Sequence, residues 1–126
     1  MKPETEEWVT KAEGNWTVAN HEIQVPNPVW DIVCFLAQQC AEQYTKAFLE
    51  EQGITFRKTH DLVVLLDSAG GTLTELDSYR ADLAYLGTLG IAARYPGTDA
   101  DKLAAEDAMR IAENVRDIVR TKLGIT

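Results

Sequence analysis

FLAQQCAEQYTKAFLEEQGITFRKTHDLVVLL, residues 35–66, reads as one long amphipathic helix, a glycine stop, a short basic loop and the start of a second helix. With Val33 included, Leu36, Ala37, Cys40, Ala41, Tyr44, Ala47 and Phe48 recur at helical spacing over four turns and make an apolar stripe. Gln39, Glu42, Gln43, Lys46 and Glu50 fall on the opposite side, read as the solvent face. Glu42 and Lys46 stand four apart in the favourable order, worth roughly 0.3 kcal/mol for an exposed pair. Gly53 is the expected stop. After a loop over 54–58, Thr59 is a good N-cap, and Asp61 falls in a first turn where negative charge suits the helix dipole.

Working outward, Trp8, Ala12, Trp16, Ala19 and Ile23 give a first helix from about Pro3 to His21, with Pro3 suited to an opening turn. Pro26 and Pro28 make a short linker and bias Asn27 to extended geometry. Beyond residue 61, Leu62, Leu65, Leu66 and Ala69 form the buried side of a short helix that ends at Gly70-Gly71. A fourth helix is predicted over about Leu73–Ala93, with Leu76, Leu83, Leu86 and Ile91 inward. Its Gly87 and Gly90 each lower intrinsic helix stability by ~1 kcal/mol relative to Ala, and mark close packing or a weak final turn. Arg94-Tyr95-Pro96-Gly97 is a turn, Thr98 or Asp99 caps a last helix bearing Ala104, Ala108, Ile111, Val115 and Ile118, and Gly124 stops it. Helices joined by short loops become antiparallel neighbours, so the expectation is an all-α, up-and-down antiparallel bundle of four to five helices, one domain over 1–126.

Composition narrows the function. The apolar fraction of 45% and charged fraction of 25% are those of an ordinary globular domain, and no apolar run approaches the ~20 residues of a membrane span. The acidic start, Met1 to Glu7, is unlike a secretory signal, so a cytoplasmic protein with no membrane contact is expected. Cys34 and Cys40 lie ~9 Å apart along one helix and ~120° apart around it, which suits two reduced core thiols. The net charge of −8, from 20 acids against 12 bases, disfavours broad electrostatic binding of nucleic acid and leaves room for a local site.

Phosphate-loop, zinc and di-iron signatures are absent, and neither metal nor cofactor is expected. What remains is His60-Asp61 with Lys58, Arg57 and Lys46, a basic set at a helix start where backbone N–H groups can meet an anion. The same residues fit a plain capping role in which His60 docks the loop onto the bundle. Arg94 and Tyr95 form a second candidate set. Arg94 at a helix end suits a phosphate, or equally the terminal carbonyls.

The segments AQQCAEQYTKAFLEEQG (37–53), RKTHDL (57–62) and ARYP (93–96), with Trp8, Ala12 and Asn15-Trp16 before them, resemble the prokaryotic HEPN domain over almost the whole chain. The resemblance implies a helical bundle that forms homodimers, a link to nucleotides or RNA, and a minimal nucleotidyltransferase partner, often as a toxin–antitoxin module. In the ribonuclease members of that family an Arg is followed four to six residues later by His, before the last helix. Arg94 matches the Arg, but Tyr95 to Ala100 contain no His. The leading expectation is therefore a nucleotide- or RNA-linked binding protein with Arg94, Tyr95, His60, Lys46 and Lys58 at its site. A metal-independent ribonuclease using Arg94 with Tyr95 or His60, and a ligand-free dimerisation scaffold, are the alternatives.

Overall fold

The computed structural model describes residues 1–125 as five α-helices: α1 Pro3–Glu22, α2 Trp30–Glu51, α3 Leu62–Ser68, α4 Arg80–Ala92 and α5 Lys102–Leu123. The all-α bundle is as expected. Among the described residues there is no strand, and no helix is long and apolar enough to cross a membrane.

Contacts between side chains give the directions. The start of α1 meets the end of α2, where the Lys2 N–H and the Thr5 hydroxyl both donate to Glu51 Oε1 (3.0 and 2.9 Å). At the other end the Val29 N–H donates to Glu22 Oε2 at 2.8 Å, so α1 and α2 form an antiparallel hairpin. The turn between them places Asn27 at φ 56°, not in the expected extended region. Asn tolerates this left-handed geometry, and the tight reversal overrides the bias from Pro28. The Ala100 N–H donates to Asp31 Oδ1 at 2.7 Å and Arg120 reaches Tyr44, so α5 runs parallel to α2. Gly90 against Gln38 and Arg94 over Phe35 make α4 antiparallel to α2.

Helix α2 is thus the hub, contacted by each of the other four. Its predicted stripe is buried apart from the half-buried Leu36, and Cys34 and Cys40 are free and fully enclosed. Burial raises both thiols, Cys34 to about 11 and Cys40 to about 12. Because neighbours cover α2 on nearly every side, Glu42 and Lys46 are buried too, contrary to the expected solvent face.

Three end points differ from expectation. Asp61, not Thr59, is the N-cap of α3: its Oδ1 accepts from the Val63 and Val64 N–H groups, while Thr59 Oγ1 accepts from the Asp61 N–H. Asp101, not Thr98 or Asp99, caps α5 by accepting from the Ala104 N–H at 2.8 Å. The segment before α4 is a 3₁₀ helix, Thr74–Tyr79, in which Leu76 is buried, three residues after the buried Leu73 that precedes the helix, the period that such a helix gives. The inward stripe of α4 is then Leu83, Leu86 and Gly90, one register short of Ile91, which is exposed.

A polar clamp closes the seam between α1, α2 and α5. Arg116 grips Glu13 with two bonds, Nη2 to Oε1 at 2.6 Å and Nε to Oε2 at 3.0 Å. Tyr44 Oη donates to Glu13 and accepts from Arg120 Nη1. Arg116 holds the Glu13 carboxyl below its usual range against the opposing effect of burial, and burial with the Glu13 contact pushes the Tyr44 phenol up to about 12.

Candidate functional site

Behind Gly53, at φ 68° as the stop requires, the loop to residue 61 folds back along α2. Its last residue before the cap, His60, comes to rest beside the middle of that helix. The Gln38 side-chain amide donates to the His60 carbonyl at 3.2 Å and fixes the backbone there. The imidazole Nδ1 lies 3.0 and 3.2 Å from the two carboxyl oxygens of Glu42. Lys46 Nζ donates to Glu42 Oε2 at 3.0 Å and Gln38 Nε2 donates to Oε1 at 3.1 Å. Lys46 also sits over the Trp8 ring, 5.3 Å from its centre.

This cluster has a direction. Gln38, Glu42 and Lys46 are 3%, 2% and 6% exposed, whereas the His60 side chain is 66% exposed. Buried charge is tolerable only when it is paired and hydrogen-bonded, and Glu42 is met by donors from three residues. A carboxylate accepts and cannot donate, so His60 Nδ1 carries the proton in that contact. Nε2 is left without a protein partner among the described residues.

His60 forms part of the wall of a pocket of ≈ 470 Å³ between α3, α4 and the middle of α2. Leu62, Val63, Leu83, Ala84 and Ile91 make it largely apolar, while His60, Thr88, Gln38 and Arg94 supply polar groups. That size and this mixture are those of a small-molecule site. Gly90 lets the α4 backbone close against Gln38, where an added Cβ would come within 2.7 Å of Cγ. Gly87 has open space beside it and faces the pocket. Arg94 lies at the far end of α4, its guanidinium 5.0 Å from the Phe35 ring centre and in no ion pair among the described residues.

Of the five expected site residues, His60 and Arg94 therefore share one pocket. Lys46 stands behind it and reaches it only through Glu42. Lys58 and Tyr95 are exposed and do not line it. The backbone N–H groups expected to meet an anion at the start of α3 are already taken by Asp61. Periodicity alone marks Glu42 as no more than a helix-face partner of Lys46, and gives Gln38 no role at the site. The one signal in the sequence is the four-residue spacing of Gln38, Glu42 and Lys46, which puts the three on one side of α2.

A family model for the HEPN domain matches residues 5–122. The chain belongs to the HEPN family. The bundle is also similar to the crystal structure of an archaeal HEPN homologue, with a TM-score of 0.76 at 23% identity, covering 97% of this chain and 98% of the other. At that identity the likeness speaks for the fold. No curated protein matches. Among the described residues of this HEPN domain, no group of three His, Cys, Asp or Glu side chains is placed to hold a metal ion.

Proposed function

We propose that this HEPN domain binds a nucleotide, or the end of an RNA, through its phosphate, in the pocket between α2, α3 and α4. The observation that carries the reading is that one pocket joins Arg94, an arginine in no ion pair among the described residues, to a histidine held by a buried carboxylate, His60. The apolar wall suits a base or ribose, and the two cationic or proton-bearing side chains suit a phosphate. The net charge of −8 favours a compact ligand over a long polyanion. The protein acts as a homodimer beside a minimal nucleotidyltransferase, in a toxin–antitoxin-like module. Exposed apolar side chains on α4 and at the start of α5, Tyr85 and Leu103, line one hollow and offer a face for a second copy. Titration calorimetry with adenosine 5′-monophosphate and with inorganic phosphate tests the site. Arg94→Ala should weaken binding roughly tenfold or more, as expected for a lost charged hydrogen bond. Equal affinity in wild type and Arg94→Ala overturns the assignment.

One observation favours a second reading. Metal-independent RNA cleavage needs a group to take the 2′-hydroxyl proton and one to protonate the leaving oxygen. The loop after Arg94 has no histidine, but the Glu42-backed His60 shares the Arg94 pocket. Cleavage of RNA in the presence of chelator, abolished by both His60→Ala and Arg94→Ala, would establish this activity. Cleavage that survives either change would refute it.

A further inference from the structure

We infer that Glu42, held by Lys46, is a positioning residue for the pocket: it fixes the proton of His60 on Nδ1 and so makes Nε2 the nitrogen offered to the ligand. The inference rests on the phosphate-binding reading of the same pocket, and goes beyond it by assigning roles to two buried residues that touch no ligand.

Three observations carry it. First, the contact is two-pronged. Nδ1 lies 3.0 and 3.2 Å from Oε1 and Oε2, which fixes the direction in which the Nδ1–H bond points. Second, Glu42 cannot turn away. Lys46 holds Oε2 and Gln38 holds Oε1, and all three side chains are at least nine-tenths buried. Third, the backbone under the ring is tied down, since the same Gln38 amide donates to the His60 carbonyl. A histidine that only docked a loop would bury its ring. Here the ring is largely exposed, and what is buried is the apparatus that aims it.

The chemistry follows from the tautomer. With Nδ1–H committed to Glu42, a neutral His60 presents a lone pair at Nε2 that can accept a proton from a ligand hydroxyl. Once protonated, the same nitrogen donates to a phosphate oxygen while Glu42 compensates the imidazolium. The other tautomer would turn Nδ1 toward Glu42 as an acceptor facing an acceptor. Lys46 supplies the charge that allows a carboxylate to stay at this depth.

The test has two arms on the full chain. In the first, imidazole ¹⁵N–¹H correlation spectra are recorded on the neutral ring, in wild type, Glu42→Gln and the charge-balanced Glu42→Gln/Lys46→Met. The wild type should show the Nδ1–H tautomer, and both variants should shift toward Nε2–H. A wild-type ring in the Nε2–H form, or spectra unmoved by removal of the carboxylate, overturns the inference. The double variant removes the stranded ammonium, so a fold lost in Glu42→Gln alone does not leave the question open.

In the second arm, adenosine 5′-monophosphate binding is measured in Glu42→Gln/Lys46→Met, in His60→Ala and in their combination. The carboxylate loss should weaken binding roughly tenfold with His60 present, about one hydrogen bond's worth, and hardly at all once His60 is gone. Additive losses overturn the inference, because they would mean that Glu42 acts on stability and not through His60. Failure of the wild type to bind either phosphate probe counts against the phosphate-binding reading alone, and the tautomer then decides the role of Glu42.

Discussion

Two glycines three residues apart on α4 should answer the same substitution with opposite signs. At Gly87 an added Cβ meets nothing within 4 Å, while at Gly90 it would stand 2.7 Å from Gln38 Cγ and 2.9 Å from Gln38 Cβ. Replacing a helical glycine by alanine gains about 0.8–1.0 kcal/mol from propensity alone, and that term is common to both sites. At Gly90 it is opposed by overpacking, about 1–3 kcal/mol in a well-filled core. Gly87→Ala should therefore stabilise by just under ~1 kcal/mol, and Gly90→Ala should destabilise by up to ~2 kcal/mol.

The difference between the two variants isolates the steric part, because the propensity terms cancel. Urea unfolding followed by far-UV circular dichroism measures it, provided that the slope with denaturant is unchanged. In a domain of this size 1 kcal/mol moves the melting temperature by roughly 4 °C, so the two variants should melt on opposite sides of wild type. Shortening the partner should not rescue Gly90→Ala, because the 2.9 Å contact is to Gln38 Cβ, which Gln38→Ala keeps. If Gly90→Ala proves as stable as Gly87→Ala within about 0.3 kcal/mol, the close approach of α4 to α2 is refuted. With it would go the account of how Gln38 is held beneath His60.

Gly87→Leu should leave the fold intact, since Leu is a far better helix former, but should abolish adenosine 5′-monophosphate binding by filling the pocket; unchanged affinity would place the ligand elsewhere. Glu13 is held below the usual carboxylate range by Arg116, so its contribution to stability is complete above about pH 4.5 and is lost as pH falls through the lowered folded-state value. Urea midpoints of Arg116→Gln should therefore fall less steeply than those of wild type below pH 4.5, and parallel acid limbs would contradict this. Cys34 and Cys40, buried and raised to about 11 and about 12, should resist thiol reagents at pH 8 in the native protein and react together on unfolding. Rapid labelling of either in the native state would refute their enclosure.

The helices were legible because their signal is local. The stripe from Val33 to Phe48 repeats at helical spacing within one element, and the stops at Gly53 and Gly124 are set by the glycine at each helix end. Caps were harder, since Thr59 and Asp61, or Thr98, Asp99 and Asp101, are all good N-caps, and the choice falls to the packing of the loops before them. Asp31 settles the second case by pinning the Ala100 N–H. The site was only half visible. Arg94 and His60 stood out by residue type, but whether they share a pocket depends on how the loop over 54–61 folds back along α2. Glu42 and Lys46 were misplaced for a related reason. Periodicity says which side of a helix is apolar, and in a central helix the polar side is covered as well.

The two polar networks on α2 differ in a way that separates architecture from function. The Glu13, Arg116, Tyr44 and Arg120 set joins three helices side chain to side chain, and holding the seam shut is sufficient reason for it. The Glu42, Lys46 and Gln38 set is deeper, and its two charges lie four apart on one helix, so the ion pair itself joins nothing together. Buried ion pairs are poor stabilisers, since apolar residues of like volume often serve the fold equally well or better. Besides the stacking of Lys46 on the Trp8 ring of α1, the contact that leads from this pair to another element among the described residues is the bond to His60, which ends in an exposed ring at the edge of a pocket that Arg94 also lines. Such a geometry, converging on one accessible nitrogen, is what the proposed phosphate contact at His60 requires, and it is why the Glu42→Gln/Lys46→Met variant tests that proposal better than it tests the fold.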